Sequence, residues 1–297
     1  MSEEFLMKPK VDFAFKEIMM DEQARLGFLS AVLHIAPETI RETRILNTYL
    51  RKEHRDDKQG ILDVRILLND DTEIDIEIQV AEIKVWAERS LFYLAKMYTE
   101  QIKSGENYNK FKKCASISIL DFTLFEDAAD FYSCFHIQED TRHTLFTDKM
   151  EFHVIELPKL PDESQEGGNS VLSWAKFINA ERKEEFEVLS KQSPYLASAY
   201  KQLQTISQDE EKRMEYTARL KAQLDHNQIV WEAEERGEER GVKKGRSEGR
   251  ADERIANIRN MVKNMGVSIE QAMSVLEVPE DEWQQYKDLL EQEIPRG

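Results

Sequence analysis

Between Gly60 and Val80 the chain reads GILDVRILLNDDTEIDIEIQV, in which two runs alternate apolar and polar positions with a period of two. Such alternation places successive side chains on opposite faces of a β-strand. The spacing predicts strands over 61–68 and 72–80, joined by a turn at Asn69-Asp70-Asp71. In the second strand Ile74, Ile76, Ile78 and Val80 share one face, and Glu73, Asp75, Glu77 and Gln79 share the other. In the first, Leu62, Val64, Ile66 and Leu68 lie opposite Asp63 and Arg65. Matching the apolar faces sets Leu62 against Ile78, Val64 against Ile76 and Ile66 against Ile74, since a one-residue slip would turn one strand's apolar set outward. In that register Asp63 faces Glu77, fourteen residues on, and Arg65 faces Asp75.

The rest of the pattern is mixed before residue 162 and helical after it. Residues 11–35 read as a helix carrying Phe13, Phe15, Ile18, Met19, Phe28, Leu29, Val32 and Leu33 mostly on one side. A turn at Pro37, a short apolar stretch from Ile45 to Leu50 and the polar loop RKEHRDDKQG lead to the hairpin. A helix over 83–104 ends near Gly105; Lys112 to Phe122 reads as a buried strand, and FHVIEL as another ending at Pro158. DESQEGGNS marks a linker. These breaks divide the chain into 1–162 and a helical region over 170–297.

Within the helical region a long charged helix is expected over about 209–263, with a tail over 255–293 that reads as three short helices joined by two turns. Gly237, Gly241, Gly245 and Gly249 recur at every fourth position of that helix. Glycine costs about 1 kcal/mol relative to alanine in a helix interior, so a bare ridge of four implies close packing against another helix or a partner chain, or else a hinge. Residues 236–263 carry nine Arg or Lys against five acids, a net of +4 that suits phosphate contact, but without interleaved aromatic residues. The tail's last helix carries Glu280, Asp281, Glu282, Asp288, Glu291 and Glu293, which suits packing or oligomerisation rather than base reading.

The hairpin register has a chemical consequence. Two carboxylates facing each other across a strand pair repel. A divalent cation offsets that repulsion, and hard oxygen donors suit magnesium or manganese. The alternative is an acidic, solvated face. Against it stand the strongly apolar opposite face and the expected neutralisation of Arg65 by Asp75, which leaves Asp63 and Glu77 uncompensated. Gln79 lies two residues after Glu77 on the same face. Asp12 and Lys16 are spaced to share one face of a helix, as are Arg89 and Tyr93. A rival carboxylate–lysine pair, Glu82-Ile83-Lys84, falls on the opposite face from Glu77 unless a bulge intervenes.

This hairpin resembles the metal site of the PD-(D/E)xK nucleases. PKVDFAFKEIM, LDVRI, IEIQV, RSLFYLAKMYTEQIKSGENY, ISILDFTLF and FHVIELPKL, followed by the run of glycines, together resemble the nuclease family transposases of that superfamily over nearly the whole chain. The resemblance implies an α/β, restriction-endonuclease-like core, a mixed sheet flanked by helices, with an all-α C-terminal extension. It implies a magnesium-dependent DNA endonuclease of bacterial origin, acting in transposition-like recombination or in defence against foreign DNA. Asp63 and Glu77 would bind the metal, with the Ile78 carbonyl as a further ligand. Gln79 stands where the family has lysine, and would orient the attacking water or the scissile phosphate without supplying charge. Lys16, paired along its helix with Asp12, or Arg89 would then supply the missing positive charge.

Composition narrows the setting. Of 297 residues, 40% are hydrophobic and 33% charged, which fits a folded core with long charged helices. No apolar run approaches the roughly 20 residues that span a membrane, and MSEEFLMKPK lacks a signal peptide's apolar stretch, so the cytoplasm is the expected location. Cys114 and Cys134 make neither a disulfide framework nor a zinc site, and both sit among apolar neighbours that suggest buried thiols. The six histidines are not metal-spaced, and no phosphate-binding glycine loop or serine-hydrolase elbow is present. A net charge of −17 opposes tight non-specific DNA binding. With Gln79, it keeps open a catalytically weak or inactive nuclease-fold protein that binds DNA or serves as an oligomeric scaffold. A homo-oligomer built through the C-terminal helices is expected in either case.

Overall fold

The computed structural model describes residues 5–50, 62–69, 71–162 and 168–292. The polar loop 51–60, Asp70 of the hairpin turn and most of the 162–170 linker lie outside them. The chain forms two compact units, residues 1–223 and 224–297.

The first unit is built on a six-stranded mixed sheet. Its strands are β1 (Thr43–Ile45), β2 (Val64–Leu68), β3 (Thr72–Gln79), β4 (Lys113–Leu120), β5 (Tyr132–Gln138) and β6 (Leu145–Glu156), in the order β1-β2-β3-β4-β6-β5. β1, β2 and β3 run antiparallel, β3–β4 and β4–β6 are parallel, and β5 returns antiparallel along the edge. The β2–β3 register is the one expected, with Val64 opposite Ile76, Arg65 opposite Asp75 and Ile66 opposite Ile74. The ladder begins at Val64, however, so Leu62 and Asp63 stand just outside it. A parallel β3–β4 pair requires a crossover, which α3 (Trp86–Thr99) supplies.

Each sheet face is covered. Ile74, Ile76 and Ile78 join Val64, Ile66, Ile117 and Ile119 in the main core. Against them pack α1 (Asp12–Met19), α2 (Glu22–Val32), α4 (Val171–Asn179), α5 (Lys183–Ser190) and α6 (Pro194–Gln208), through residues such as Phe15, Phe28, Trp174, Phe186 and Leu203. On the other face Tyr93, Leu94 and Met97 of α3 pack with Leu62 and Cys114, and Trp86 packs with Leu120, Phe122 and Val154.

Several elements differ from the sequence reading. The 11–35 helix is two helices, because Asp21 accepts the Ala24 N–H at 2.8 Å and caps a new start. The helix expected over 83–104 is regular only from Trp86 to Thr99. β6 is longer than FHVIEL, and its hairpin partner β5 was not foreseen; β5 is an edge strand with mostly exposed side chains and lacks a one-sided pattern. Edge position also exposes Cys134, whereas Cys114 in central β4 is buried as expected. The first unit extends past the linker, since the apolar faces of α4–α6 complete the sheet's core.

Gly27 shows how closely α2 and α6 approach. A Cβ there would lie 2.2 Å from the Tyr195 Cβ. Gly27→Ala is therefore expected to destabilise the fold by about 1–3 kcal/mol through overpacking, a loss visible as a lower thermal midpoint. An unchanged midpoint would contradict this packing.

α7 (Glu210–Met265) begins in the first unit, where Tyr216 joins the main core, and continues into the second. There Ile258 packs with Ala272 and Met273 of α8 (Ile269–Val275) and with Val278, and with Tyr286 and Leu290 of α9 (Trp283–Gln292). The ion pair Lys287–Glu270 ties α9 to α8 and Arg254–Glu282 ties α7 to the short turn before α9, both at 2.7 Å. The tail is thus a small packed bundle. From Leu224 to Arg250 no described side chain of α7 is buried, and a Cβ on Gly237, Gly241, Gly245 or Gly249 would meet nothing within 4 Å. Among the described residues no helix is long and apolar enough to cross a membrane.

Candidate active site

The pleat of β3 puts Asp75 and Glu77 on the face opposite its three isoleucines. Because α3 covers that face too, both carboxylates are buried, at 1% and 5% exposure. Buried carboxylates are costly unless paired or hydrogen-bonded. Here Asp75 Oδ1 and Glu77 Oε1 have no hydrogen-bond partner.

Asp63 enters from the residue before β2. Its Oδ2 accepts the Ile78 backbone N–H at 3.1 Å. The two acids are therefore not opposed as a ladder pair: Asp63 caps an amide of β3, and its charge acts on Glu77 from that position. Burial pushes the Asp63 carboxyl up to about 6, against the lowering effect of the Ile78 hydrogen bond. Burial, reinforced by the Asp63 charge and opposed by Arg89, pushes Glu77 up to about 8. Asp75 is raised well above the usual range, first by burial and then by Glu77 and Asp63.

The expected Arg65–Asp75 neutralisation does not occur. Arg65 turns along the strand pair to Glu73, with Nη2–Oε2 at 2.7 Å, and stands 3.7 Å from Glu100. Among the described residues Asp75 is left without an ion-pair partner, and the charges of Arg65 and Arg89 lower its pKa by less than burial and the neighbouring acids raise it. Ser116 and Ser118 of β4 were also missed; they pair in register with Asp75 and Glu77 and are buried. The alternation in CASISIL, with both serines opposite Ile117 and Ile119, is the signal that could have found them.

Among the described residues the cation paired with Glu77 comes from α3. Arg89 Nη2 lies 3.7 Å from Glu77 Oε2, with the guanidinium over the rings of Trp86 at 5.4 Å and Tyr93 at 5.3 Å. Residues 86, 89 and 93 fall on one helix face, which fixes this cation–π sandwich over the sheet. Lys16 is exposed, and Asp12 stands 3.8 Å from Arg219; Asp12 raises and Lys16 lowers the Asp63 pKa, so the start of α1 lies within the field of the site. Gln79 donates from Nε2 to the Ala81 carbonyl at 2.9 Å, a contact made beside the site rather than with its acids. Glu82 and Lys84 follow the end of β3 and are exposed, so the rival pair stays outside.

A second polar cluster sits across the sheet. Glu151 meets Lys113 at 2.6 Å and both His136 and His153 at 3.3 Å. Burial pushes its carboxyl up, but hydrogen bonds from His153 and Lys113 outweigh this and hold it down at about 2. This acid is satisfied, in contrast to the β3 pair.

The donor chemistry at β3 fits a hard divalent cation: uncompensated carboxylate oxygens in a buried setting. Among the described residues no group of three or more His, Cys, Asp or Glu side chains is placed to hold a metal ion. A cation here would keep several waters, as magnesium does.

The sequence pattern of the family described as PD-(D/E)XK nuclease family transposase matches residues 9–233 of the chain, the whole sheet and α1–α6 included. No curated protein and no solved structure matches it.

Proposed function

The chain belongs to the PD-(D/E)XK nuclease family transposases, and on that footing we propose that it is a divalent-metal-dependent DNA endonuclease with its site at the β2–β3 hairpin. The observation that carries this reading is the buried, unpartnered oxygen of Glu77, beside an Asp63 anchored by the Ile78 amide. Asp63 and Glu77 would hold magnesium or manganese, with the Ile78 carbonyl as a further donor. The bound cation supplies Lewis acidity and a water of lowered pKa.

The chain's own residues supply position and charge. The Ile78 N–H fixes the Asp63 carboxylate, and Arg89 favours the ionised form of Glu77 against the larger opposing effect of burial, so that a bound cation would complete its ionisation. Gln79 has no charge to offer, and its amide is engaged by Ala81. Arg89, and more distantly Lys16, would take the part played by lysine elsewhere in the family. The recombination or defence role rests on family membership alone. Supercoiled plasmid incubated with the purified chain in magnesium, manganese or EDTA tests the reading: nicking or linearisation only with metal supports it, and none with either metal sinks it.

A non-catalytic DNA-binding protein is the second reading, favoured by Gln79 in the lysine position and a net charge of −17. Gln79→Lys separates the two. If the site is catalytic, a restored cation is expected to raise cleavage about tenfold or more, as electrostatic groups at reacting phosphates do. If both forms are equally inert, the binding reading gains.

Assembly through α7 belongs to the same proposal. Replacing all four ridge glycines by alanine adds helix propensity of about 1 kcal/mol per position. A partner helix seated on the ridge would nonetheless be pushed away. The expected result is a dissociated species in analytical sedimentation; an unchanged oligomer would rule out the ridge as the interface.

A further inference from the structure

One aromatic ring from the last turn of α3 and two from its connection to β4 stand in parallel. Tyr98 and Phe111 stack at a centroid distance of 4.1 Å and an interplanar angle of 9°, and Phe111 and Tyr108 continue the ladder at 6.2 Å and 9°. The inner end is anchored, since Tyr98 packs against the cluster of Tyr93, Leu94, Met97 and Cys114. The outer end is open, with Tyr108 79% exposed. A ring recruited only for packing would be covered, whereas this one offers a preformed flat face to solvent.

The connection that carries the ladder is pinned. Glu106 accepts the Lys103 backbone N–H at 2.7 Å and pairs with Lys110 at 2.8 Å. Gln101 accepts the Lys112 N–H at 2.7 Å and donates to the Cys114 Sγ at 2.9 Å. Residues 96–112 contain four lysines and two glutamates, an excess of positive charge in a chain whose net charge is −17. A rigid aromatic face amid lysines is the combination that binds unpaired bases while attracting the backbone.

Its position relates it to the acids of β3. Cys114 pairs with Glu73, two residues before Asp75 on the same face, so the cluster holding Tyr98 lies on the carboxylate side of the sheet. Tyr98 follows Arg89 by nine residues of one helix, roughly 13 Å along its axis.

We propose that Tyr108, Phe111 and Tyr98 form a stacking platform for an unpaired nucleobase of the DNA strand, with Tyr108 as the contacting ring. This rests on the nuclease reading for the identity of the strand. It adds a substrate feature: the DNA engaged beyond the acids is single-stranded or locally opened there.

The test is binding of the full chain, in EDTA, to an oligothymidylate carrying one 2-aminopurine, and to a blunt duplex. Tyr108 is exposed, so Tyr108→Ala and Tyr108→Phe leave the core intact. Tyr108→Ala is expected to weaken single-strand binding by roughly 5- to 100-fold and abolish 2-aminopurine quenching, while Tyr108→Phe stays within about twofold of wild type. Duplex affinity should not change, because its bases are already stacked. Equal single-strand affinity and quenching in wild type and Tyr108→Ala, an equal loss on duplex, or no oligonucleotide binding by wild type overturns the platform. Without divalent metal the result is independent of cleavage. Plasmid cutting with a Tyr108→Ala variant that binds normally would leave the nuclease reading intact, and Tyr108-dependent binding without plasmid cutting would do the reverse.

Discussion

Asp63→Ala is expected to abolish metal-dependent plasmid cleavage, lowering the rate by about 10³-fold or more in magnesium and in manganese alike. The substitution acts in two ways. It removes one of the two proposed metal ligands, and it leaves the Ile78 N–H without its acceptor, loosening the end of β3 beside Glu77. Asp63→Asn separates these effects: its amide oxygen can still accept from Ile78, but it brings no negative charge to a cation. Both variants should retain a cooperative thermal transition, since Asp63 lies outside the β2–β3 ladder. A folded Asp63→Ala that cuts as fast as wild type would remove the hairpin as the site. Activity retained by Asp63→Asn but lost in Asp63→Ala would instead assign Asp63 a scaffolding role.

The second large effect is on stability. Without metal, the native state is expected to weaken steadily as pH rises through neutrality. Glu77 titrates at about 8 in the fold, against 4.5 for an ordinary glutamate. Below the lower value both folded and unfolded chains hold the proton, and its burial carries no electrostatic penalty. Between the two values the folded chain keeps a proton that the unfolded chain has released, so stability falls by about 1.4 kcal/mol per pH unit. Above the upper value the loss is complete. Asp63, raised to about 6 from 3.8, adds a loss of the same sign over its own lower window, and Asp75 shifts in the same direction.

The thermal midpoint in EDTA should therefore drop between pH 5 and pH 8, the span that Glu77 governs. Glu77→Gln, neutral at every pH, should flatten most of that slope. Magnesium or manganese should raise the midpoint more at the upper end, because a cation stabilises the ionised native form in proportion to its binding. A midpoint that holds steady or climbs with pH in EDTA would mean these acids are solvated or otherwise compensated.

The legibility of the sheet was uneven, for reasons that individual residues make plain. Ile74, Ile76, Ile78 and Val64, Ile66, Leu68 set the β2–β3 register together with the short connection after Leu68, because a one-residue slip would turn one strand's three outward and a longer slip would need a longer turn. β5 carries no comparable stripe; its side chains face mostly solvent and its pairing with β6 is interrupted by register shifts. The break at Asp21 was obscured because the apolar residues of α1 and α2 continue almost in phase across it, and a cap is a local hydrogen bond rather than a change of pattern.

At the site, residue type and parity were enough to bring Asp63, Glu77 and Arg89 forward as candidates, and the structure gathers all three. Glu82 and Lys84 lie beyond the end of β3 and are exposed, so strand parity does not extend to them. What it misjudged was Asp75. A directly opposed arginine looks like a neutralising partner, yet side-chain length and the nearby Glu73 and Glu100 draw Arg65 away.

The chain by itself therefore determined the hairpin, its register, the face on which the acids stand and the family to which it belongs, because strand periodicity and motif order are written in consecutive residues. Only tertiary structure decided that both sheet faces are covered, that Asp75 joins the acids with Ser116 and Ser118 beside them, that Arg89 stands over Glu77, and that three aromatic rings align beyond them. Burial and the reach of a side chain depend on what distant segments bring to the same place, and no local spacing records that.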